Sequence, residues 1–315
     1  MDKQKLAFVF PGQGSQSVGM MAAYGDDAAI RATFEEASQA LGEDLWSMAA
    51  DGPAERLSLT TNTQPLMLTA GVAVFRSWMA RTGRRPDMVA GHSLGEYAAL
   101  VAAEVISLAD AVPLVRLRAQ AMQDAVPAGT GAMAAVLGMD AAAVQACCDE
   151  AAQGEVVSAV NFNSPEQTVI AGHAGAVARA MTLLSERGAK RTVALPVSAP
   201  FHCSLMQPAA ARLAEALPGV EFRRPVITLI NNVDVASPED PDAIRDALVR
   251  QAAAPVRWVE VVQRMAALGA GCVAECGPGK VLAGLTKRID RALTGVALAD
   301  AAAIEQLAQQ MNGAE

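Results

Sequence analysis

Val89-Ala90-Gly91-His92-Ser93-Leu94-Gly95-Glu96 is the stretch that decides how this chain is read. It holds Gly-x-Ser-x-Gly between a short apolar run, Asp87–Gly91, and an alanine-rich run that begins at Leu94. A buried strand, a sharp turn and a helix form the setting in which that pattern lifts a serine hydroxyl to the rim of a parallel sheet. Gly91 and Gly95 keep bulk away where strand and helix pack closely around a strained turn. The following helix presents its positive end to Ser93. The competing reading is a structural serine in a tight turn; the strand and helix on either side weigh against it.

Working outward, Lys5–Phe10, Pro225–Asn232 and Gly271–Cys276 are further short apolar runs expected as strands. Helical patterns separate them over Asp27–Ala40, Gln64–Arg81, Leu94–Glu104 and Ala243–Arg250. Such alternation predicts an α/β fold with a parallel sheet covered on both faces, like that of a hydrolase. Ser107-Leu108-Ala109-Asp110 has the form of a capping box and starts a helix that carries Arg116 and Arg118. The middle differs. After the linker-like Pro127-Ala128-Gly129-Thr130-Gly131 come a strand (Ala132–Leu137), a helix (Asp140–Gln153), two strands (Val156–Asn161 and Gln167–Ala171), a helix (Ala174–Arg187) and a strand (Lys190–Pro196). The turn signal Asn163-Ser164-Pro165-Glu166 joins the two central strands. That β-α-β-β-α-β order is ferredoxin-like. The expected division is a large α/β domain of residues 1–127 and 198–315 and a small inserted subdomain of residues 128–197. The cleft between them is the natural ligand site.

The chain has 315 residues, 52% of them hydrophobic, so it can bury a large core. Its net charge of -8 argues against a nucleic-acid partner. Five cysteines without framework spacing suggest a reduced, cytoplasmic protein. Cys147 and Cys148 fall in a helical stretch and read as core; Cys272 and Cys276 lack a second pair for zinc, so no metal is expected. Met1-Asp2-Lys3-Gln4 runs straight into a strand, which gives no expectation of a secretory signal. No apolar run reaches membrane-spanning length, so no membrane association is expected.

A serine nucleophile needs a base, and the chain has three histidines, His92, His173 and His202. His92 adjoins Ser93 and is expected to pack or bond locally, and His173 reads as structural or exposed. His202 lies in Val197-Ser198-Ala199-Pro200-Phe201-His202-Cys203, where the chain returns from the small subdomain to the cleft, and is the leading base. The acids Asp234 and Asp240 follow His202, whereas an α/β-hydrolase has its acid upstream. A backbone carbonyl is the alternative way to fix the histidine tautomer. Phe10-Pro11-Gly12-Gln13-Gly14-Ser15-Gln16 follows a strand and should reach the same sheet edge as Ser93. It suits an oxyanion hole made of the Gln13 and Leu94 amides, or a plain strand-ending turn. Nucleotide-binding loops do not fit. Ser17 stands where Gly-x-Gly-x-x-Gly needs a glycine, and Ala274 and Val281 break a Walker pattern around Gly277-Pro278-Gly279-Lys280.

Taken together, Phe8–Gln16, Gly91–Glu96, Asn161–Pro165, His202 in its loop, Leu248–Gln251 and Glu275–Lys280 resemble the malonyl-CoA:acyl-carrier-protein transacylases of bacterial type II fatty acid synthesis. The resemblance implies an S-malonyltransferase of lipid metabolism that needs no cofactor, with malonyl-CoA as substrate and acyl carrier protein as partner. Ser93 is then the acylated residue, with His202 as base and then acid, held by a backbone carbonyl near Gln251. Gln13 and Leu94 form the oxyanion hole, and Arg118, with Gln251 nearby, binds the malonyl carboxylate. Reading residues alone leaves Arg116 and Arg118 equal; the family pattern selects Arg118. Phe201, Cys203 and Ala252-Ala253-Ala254 depart from common family residues and bear on pocket volume. Acyl carrier proteins are acidic as a class, so an acidic enzyme needs a local basic patch. Arg187, Lys190, Arg191, Lys280, Lys287 and Arg288 are the candidates. The rival readings are a serine thioesterase, an acyltransferase of a polyketide or malonate decarboxylase system, and a catalytically silent acyl-binding subunit.

Overall fold

A computed structural model describes residues 5–312. Its strands are β1 (Lys5–Phe10), β2 (Met88–Gly91), β3 (Gly131–Leu137), β4 (Val157–Ser164), β5 (Gln167–His173), β6 (Arg191–Ala194), β7 (Thr228–Ile230), β8 (Ala270–Glu275) and β9 (Thr294–Ala297). The large sheet has the order β7-β2-β1-β8-β9 and every pairing in it is parallel. β1 is buried on both faces, as a central parallel strand must be. Phe8 and Phe10 pack edge-on against Phe75 or Trp78 of the helix Thr60–Thr82. Ala7 and Val9 point the other way, into a core with Trp258, Val262 and Met265 of the helix Trp258–Ala267.

The register positions the site. Phe10 pairs with Gly91, and Val9 pairs with Glu275, so three strands end together at one sheet edge. The loops after β1, β2 and β7 all leave from that edge, where ligands bind in open α/β sheets.

The inserted sheet has the order β4-β5-β3-β6, with antiparallel pairings throughout. With helices Ala141–Ala152 and Ala174–Glu186 it has the ferredoxin-like arrangement expected from the sequence. Val144, Cys148, Val177 and Leu184 fill the core between these helices and the sheet. Met133, Val160, Val169 and Ala171 pack on the opposite face with Cys203, Phe201 and Leu205 of the returning chain. The small sheet therefore presses directly on the segment that carries His202.

Several elements differ from the sequence reading. The helix expected from Gln64 begins at Thr60 and takes Pro65 inside it. The Thr63 hydroxyl bonds the carbonyls of Leu57 and Leu59, which ties down that first turn. The edge strand Thr294–Ala297 and the helices Trp258–Ala267 and Val281–Ile289 were not among the expected elements.

Candidate active site

Ser93 occupies the turn between β2 and the helix Gly95–Ala102 with a φ of 53°. A non-glycine residue holds that conformation only when its surroundings enforce it. Here Asn232, just beyond β7, does so. Its Oδ1 accepts from the Ser93 amide at 2.7 Å, and its Nδ2 donates to the Gly91 carbonyl at 2.7 Å. The two glycines of the motif have no room for a side chain. A Cβ on Gly91 would lie 1.8 Å from the carbonyl carbon of Gly95, and one on Gly95 would lie 2.0 Å from the Phe10 oxygen. Gly95→Ala is therefore expected to lower the melting temperature by about 5 °C or more, as differential scanning fluorimetry would read it.

The Ser93 hydroxyl lies 2.6 Å from Nε2 of His202. On the other side of the ring, Nδ1–H donates to the Gln251 carbonyl at 3.1 Å. That bond fixes the tautomer and leaves Nε2 free to accept the serine proton. Burial, then the nearby Arg118 charge, push His202 down to about 3, so the ring is neutral at physiological pH. Asp234 forms a two-pronged pair with Arg250, and Asp240 caps the helix Pro241–Ala252 through the Ala243 amide. The position of a hydrolase acid is thus filled by a main-chain carbonyl.

Arg118, from the helix Leu108–Asp124, is 1% exposed. Its guanidinium donates to Gln64 Oε1 at 2.9 Å, to Gln251 Oε1 at 3.1 Å and to Ser93 Oγ at 3.3 Å. The Tyr97 ring lies 5.5 Å from its centre, and the Arg118 Nε has no hydrogen-bond partner among the described residues. Every one of these acceptors is neutral, and no ion pair among the described residues uses Arg118. Arg116, two residues away, is spent in a two-pronged pair with Glu43. A buried guanidinium with neutral partners and an unused N–H is matched to an incoming carboxylate.

A cavity of about 110 Å³ opens onto these groups, with Ser93, Arg118, His202, Gln13, Leu94 and Phe201 among its walls. No hydrogen bond to another protein group uses the amide of Gln13 or Leu94 among the described residues. Gln251 stands behind Arg118 rather than on the cavity wall and acts on the site through its neighbours. Of the residues that depart from family pattern, Phe201 borders the cavity, whereas Ala252 is fully buried away from it.

His92 packs, one of the two expectations, but its hydrogen bond is not a local one. Its Nε2 reaches Asn163 Oδ1 at 2.8 Å, across to β4, and its ring packs on Trp258. The reason is steric: the main chain turns sharply at Ser93, which throws the neighbouring imidazole toward the small sheet. His173 is structural, its Nδ1 accepting from the Val156 amide at 2.9 Å.

Sequence reasoning missed Asn232, Gln64 and the role of Glu96. The available signal for Asn232 was its place at the end of an apolar run, at the edge where Ser93 was expected. Glu96 is 2% exposed, and its Oε2 accepts from the Asn232 amide at 2.9 Å and Gln251 Nε2 at 3.0 Å. Burial pushes its carboxyl up to about 7, and Asp234 adds to this; the bonds from Gln251 and Asn232 and the Arg118 charge pull the other way. A carboxyl raised on folding gives stability that is full below its unfolded value near 4.5 and is lost as pH rises through about 7. Glu96→Gln has no such loss. Its melting temperature relative to wild type is expected to climb by a few degrees between about pH 5 and pH 8.

Among the described residues no His, Cys, Asp or Glu cluster could hold a metal, and no helix is long and apolar enough to cross a membrane. Residues 7–309 match the family described as the acyl transferase domain. The chain is 56% identical over 304 residues to the malonyl CoA-acyl carrier protein transacylase of Escherichia coli (strain K12), covering 95% of this chain and 97% of that protein. It is similar to the crystal structure of acyl-carrier-protein S-malonyltransferase from Burkholderia pseudomallei 1710b, with a TM-score of 0.95 and 58% identity, over 97% of this chain and 99% of that one. A malonyl-transacylase solved in complex with a type II PKS acyl-carrier protein has a TM-score of 0.96 and 49% identity, over 97% of this chain and 99% of that one. With its serine elbow, carbonyl-backed histidine and buried arginine around one cavity, the chain belongs to the acyl transferase family, among the malonyl CoA-acyl carrier protein transacylases.

Proposed function

We propose that this protein moves the malonyl group of malonyl-CoA onto the phosphopantetheine thiol of an acyl carrier protein through an ester on Ser93. The observation that carries this reading is the buried Arg118 guanidinium, without an anionic partner, 3.3 Å from the Ser93 hydroxyl. A substrate carboxylate on Arg118 brings a thioester carbonyl to Ser93. The Ser93 oxygen adds to that carbonyl while its proton passes to His202 Nε2. The Gln13 and Leu94 amides stabilise the oxyanion. The C–S bond breaks, and His202 returns the proton to the departing coenzyme A sulfur. The carrier thiol then gives its proton to His202 and takes the malonyl group, and His202 passes that proton to the departing Ser93 oxygen, which regenerates the free enzyme. In this reading the enzyme works in the cytoplasm without metal or cofactor, and residues 128–197 form a subdomain that closes one side of the cleft.

Two relatives bear on the partner: one is named for acyl carrier protein, and another was solved with one from a polyketide pathway. The fatty acid and polyketide carriers are thus the two to compare. Mass spectrometry after brief incubation with malonyl-CoA should find malonyl on Ser93, and added holo carrier protein should remove it. Hydrolysis equally fast with and without the carrier would instead make the protein a thioesterase.

Among the basic candidates, Arg187 pairs with Glu150 and Lys190 with Glu166. Arg191, Lys280, Lys287 and Arg288 are exposed and have no ion pair among the described residues. Arg288 also approaches Gln167 at the turn into β5. The pair of changes Lys287→Glu and Arg288→Glu is expected to raise KM for carrier protein about tenfold and to leave Ser93 acylation within about twofold. Steady-state kinetics with carrier protein as the varied substrate would check this.

A further inference from the structure

Glu96 belongs to the serine motif, yet the proposed reaction gives it no task. It is a carboxylate almost without solvent contact, and its direct partners are a main-chain amide and a carboxamide rather than a cation. What those partners hold in turn is informative. The Asn232 side chain clamps the strained turn at the Ser93 amide and the Gly91 carbonyl. The Gln251 side chain donates to the Ser93 carbonyl at 3.0 Å and accepts from Arg118 at 3.1 Å. The Gln251 main chain supplies the carbonyl beneath His202.

We propose that Glu96 is a positioning residue whose single oxygen Oε2 joins the serine turn, the arginine and the histidine support into one unit. The inference rests on the reaction proposed above. Oε2 takes the Asn232 amide and the Gln251 carboxamide together, so neither partner can shift without the other. Freed from Glu96, the Gln251 carboxamide can rotate about its terminal bond. Arg118 then loses its fixed aim at the acyl carboxylate, and the Ser93 carbonyl loses a donor. A displacement of about 1 Å at a reacting group costs on the order of 10²-fold in rate.

The variants separate geometry from charge. Glu96→Gln keeps an oxygen that can accept both bonds and removes the charge. Glu96→Asp keeps the charge and withdraws it by one methylene, and Glu96→Ala removes both. Ser93 malonylation is followed by rapid quench and mass spectrometry, with wild type alongside, and the preference for malonyl-CoA over acetyl-CoA is measured for each. In Glu96→Ala and Glu96→Asp the acylation rate is expected to fall by about 10²-fold and about tenfold respectively. The malonyl preference should fall at least about fivefold in both, because Arg118 is released. Glu96→Gln should stay within about fivefold of wild type in rate and keep its preference. Should Glu96→Ala fail to fold, the comparison of Asp with Gln carries the test. Wild-type rate and preference in the Asp variant, or a Gln variant as impaired as Ala or Asp, would overturn the proposal. Absence of a Ser93 adduct in wild type would instead remove the reaction itself and the inference with it.

Discussion

His202→Ala lowers malonyl transfer by about 10⁴-fold, and Ser93→Ala yields no malonyl adduct at all. The expectation for His202 follows from geometry. Its Nε2 is 2.6 Å from the Ser93 hydroxyl, and its other nitrogen is occupied by the Gln251 carbonyl. Among the described residues no second titratable group of suitable basicity reaches Ser93 Oγ, whose other neighbour, Arg118, is a donor. General acid–base assistance is worth about 10²- to 10⁴-fold, and in the proposed reaction one residue serves both halves. His202 is held near 3, so it stays in its base form across the working range. The acid limb of a kcat/KM profile above pH 5 therefore should not arise from this ring. Transfer rates for His202→Ala, measured with carrier protein over several hours, would check the loss; a fall of less than about tenfold would move the base elsewhere.

Arg118→Ala lowers kcat/KM for malonyl-CoA by about 10²- to 10³-fold and leaves acetyl-CoA turnover within about threefold. Loss of one partner from a buried, hydrogen-bonded charge pair costs about 2–5 kcal/mol, and only a substrate with a distal carboxylate forms that pair. Acetyl lacks the carboxylate and has nothing to lose. Competition between the two thioesters, read by adduct mass, would measure the discrimination directly. Equal losses for both acyl groups would contradict a carboxylate role for Arg118.

The large sheet was legible because each of its central strands is a continuous apolar run closed by a turn. β1 follows Lys5–Phe10 to the residue, and β8 is displaced from its expected span by one residue at each end. β9 escaped notice because it is four residues long and only partly buried, which leaves a weak pattern. The helix Trp258–Ala267 buries Trp258, Val261, Val262 and Met265, a helical spacing that the sequence does carry. In the site, Ser93 and His202 were readable from side-chain chemistry plus context. Asn232 was not, because it acts on main-chain groups 139 and 141 residues away, and contacts of that kind leave no local spacing. Residue chemistry alone left Arg116 and Arg118 equal; the family pattern selected Arg118, and the fold supplies the physical reason. Two residues apart on a helix means opposite directions, and one of them meets Glu43.

A histidine supported by an uncharged carbonyl gains less on protonation than one supported by a carboxylate. In the proposed reaction this bears on the lifetime of the malonyl ester. A thiol releases its proton near pH 8.5, roughly seven units below water. The carrier thiol is therefore partly ionised near neutral pH and needs little help from His202, whereas water needs a full proton transfer to the base. The ester on Ser93 is then long-lived in plain buffer and short-lived once a carrier thiol enters. Discrimination between transfer and waste is set by nucleophile acidity, and the cavity can remain open to solvent without squandering the acyl group.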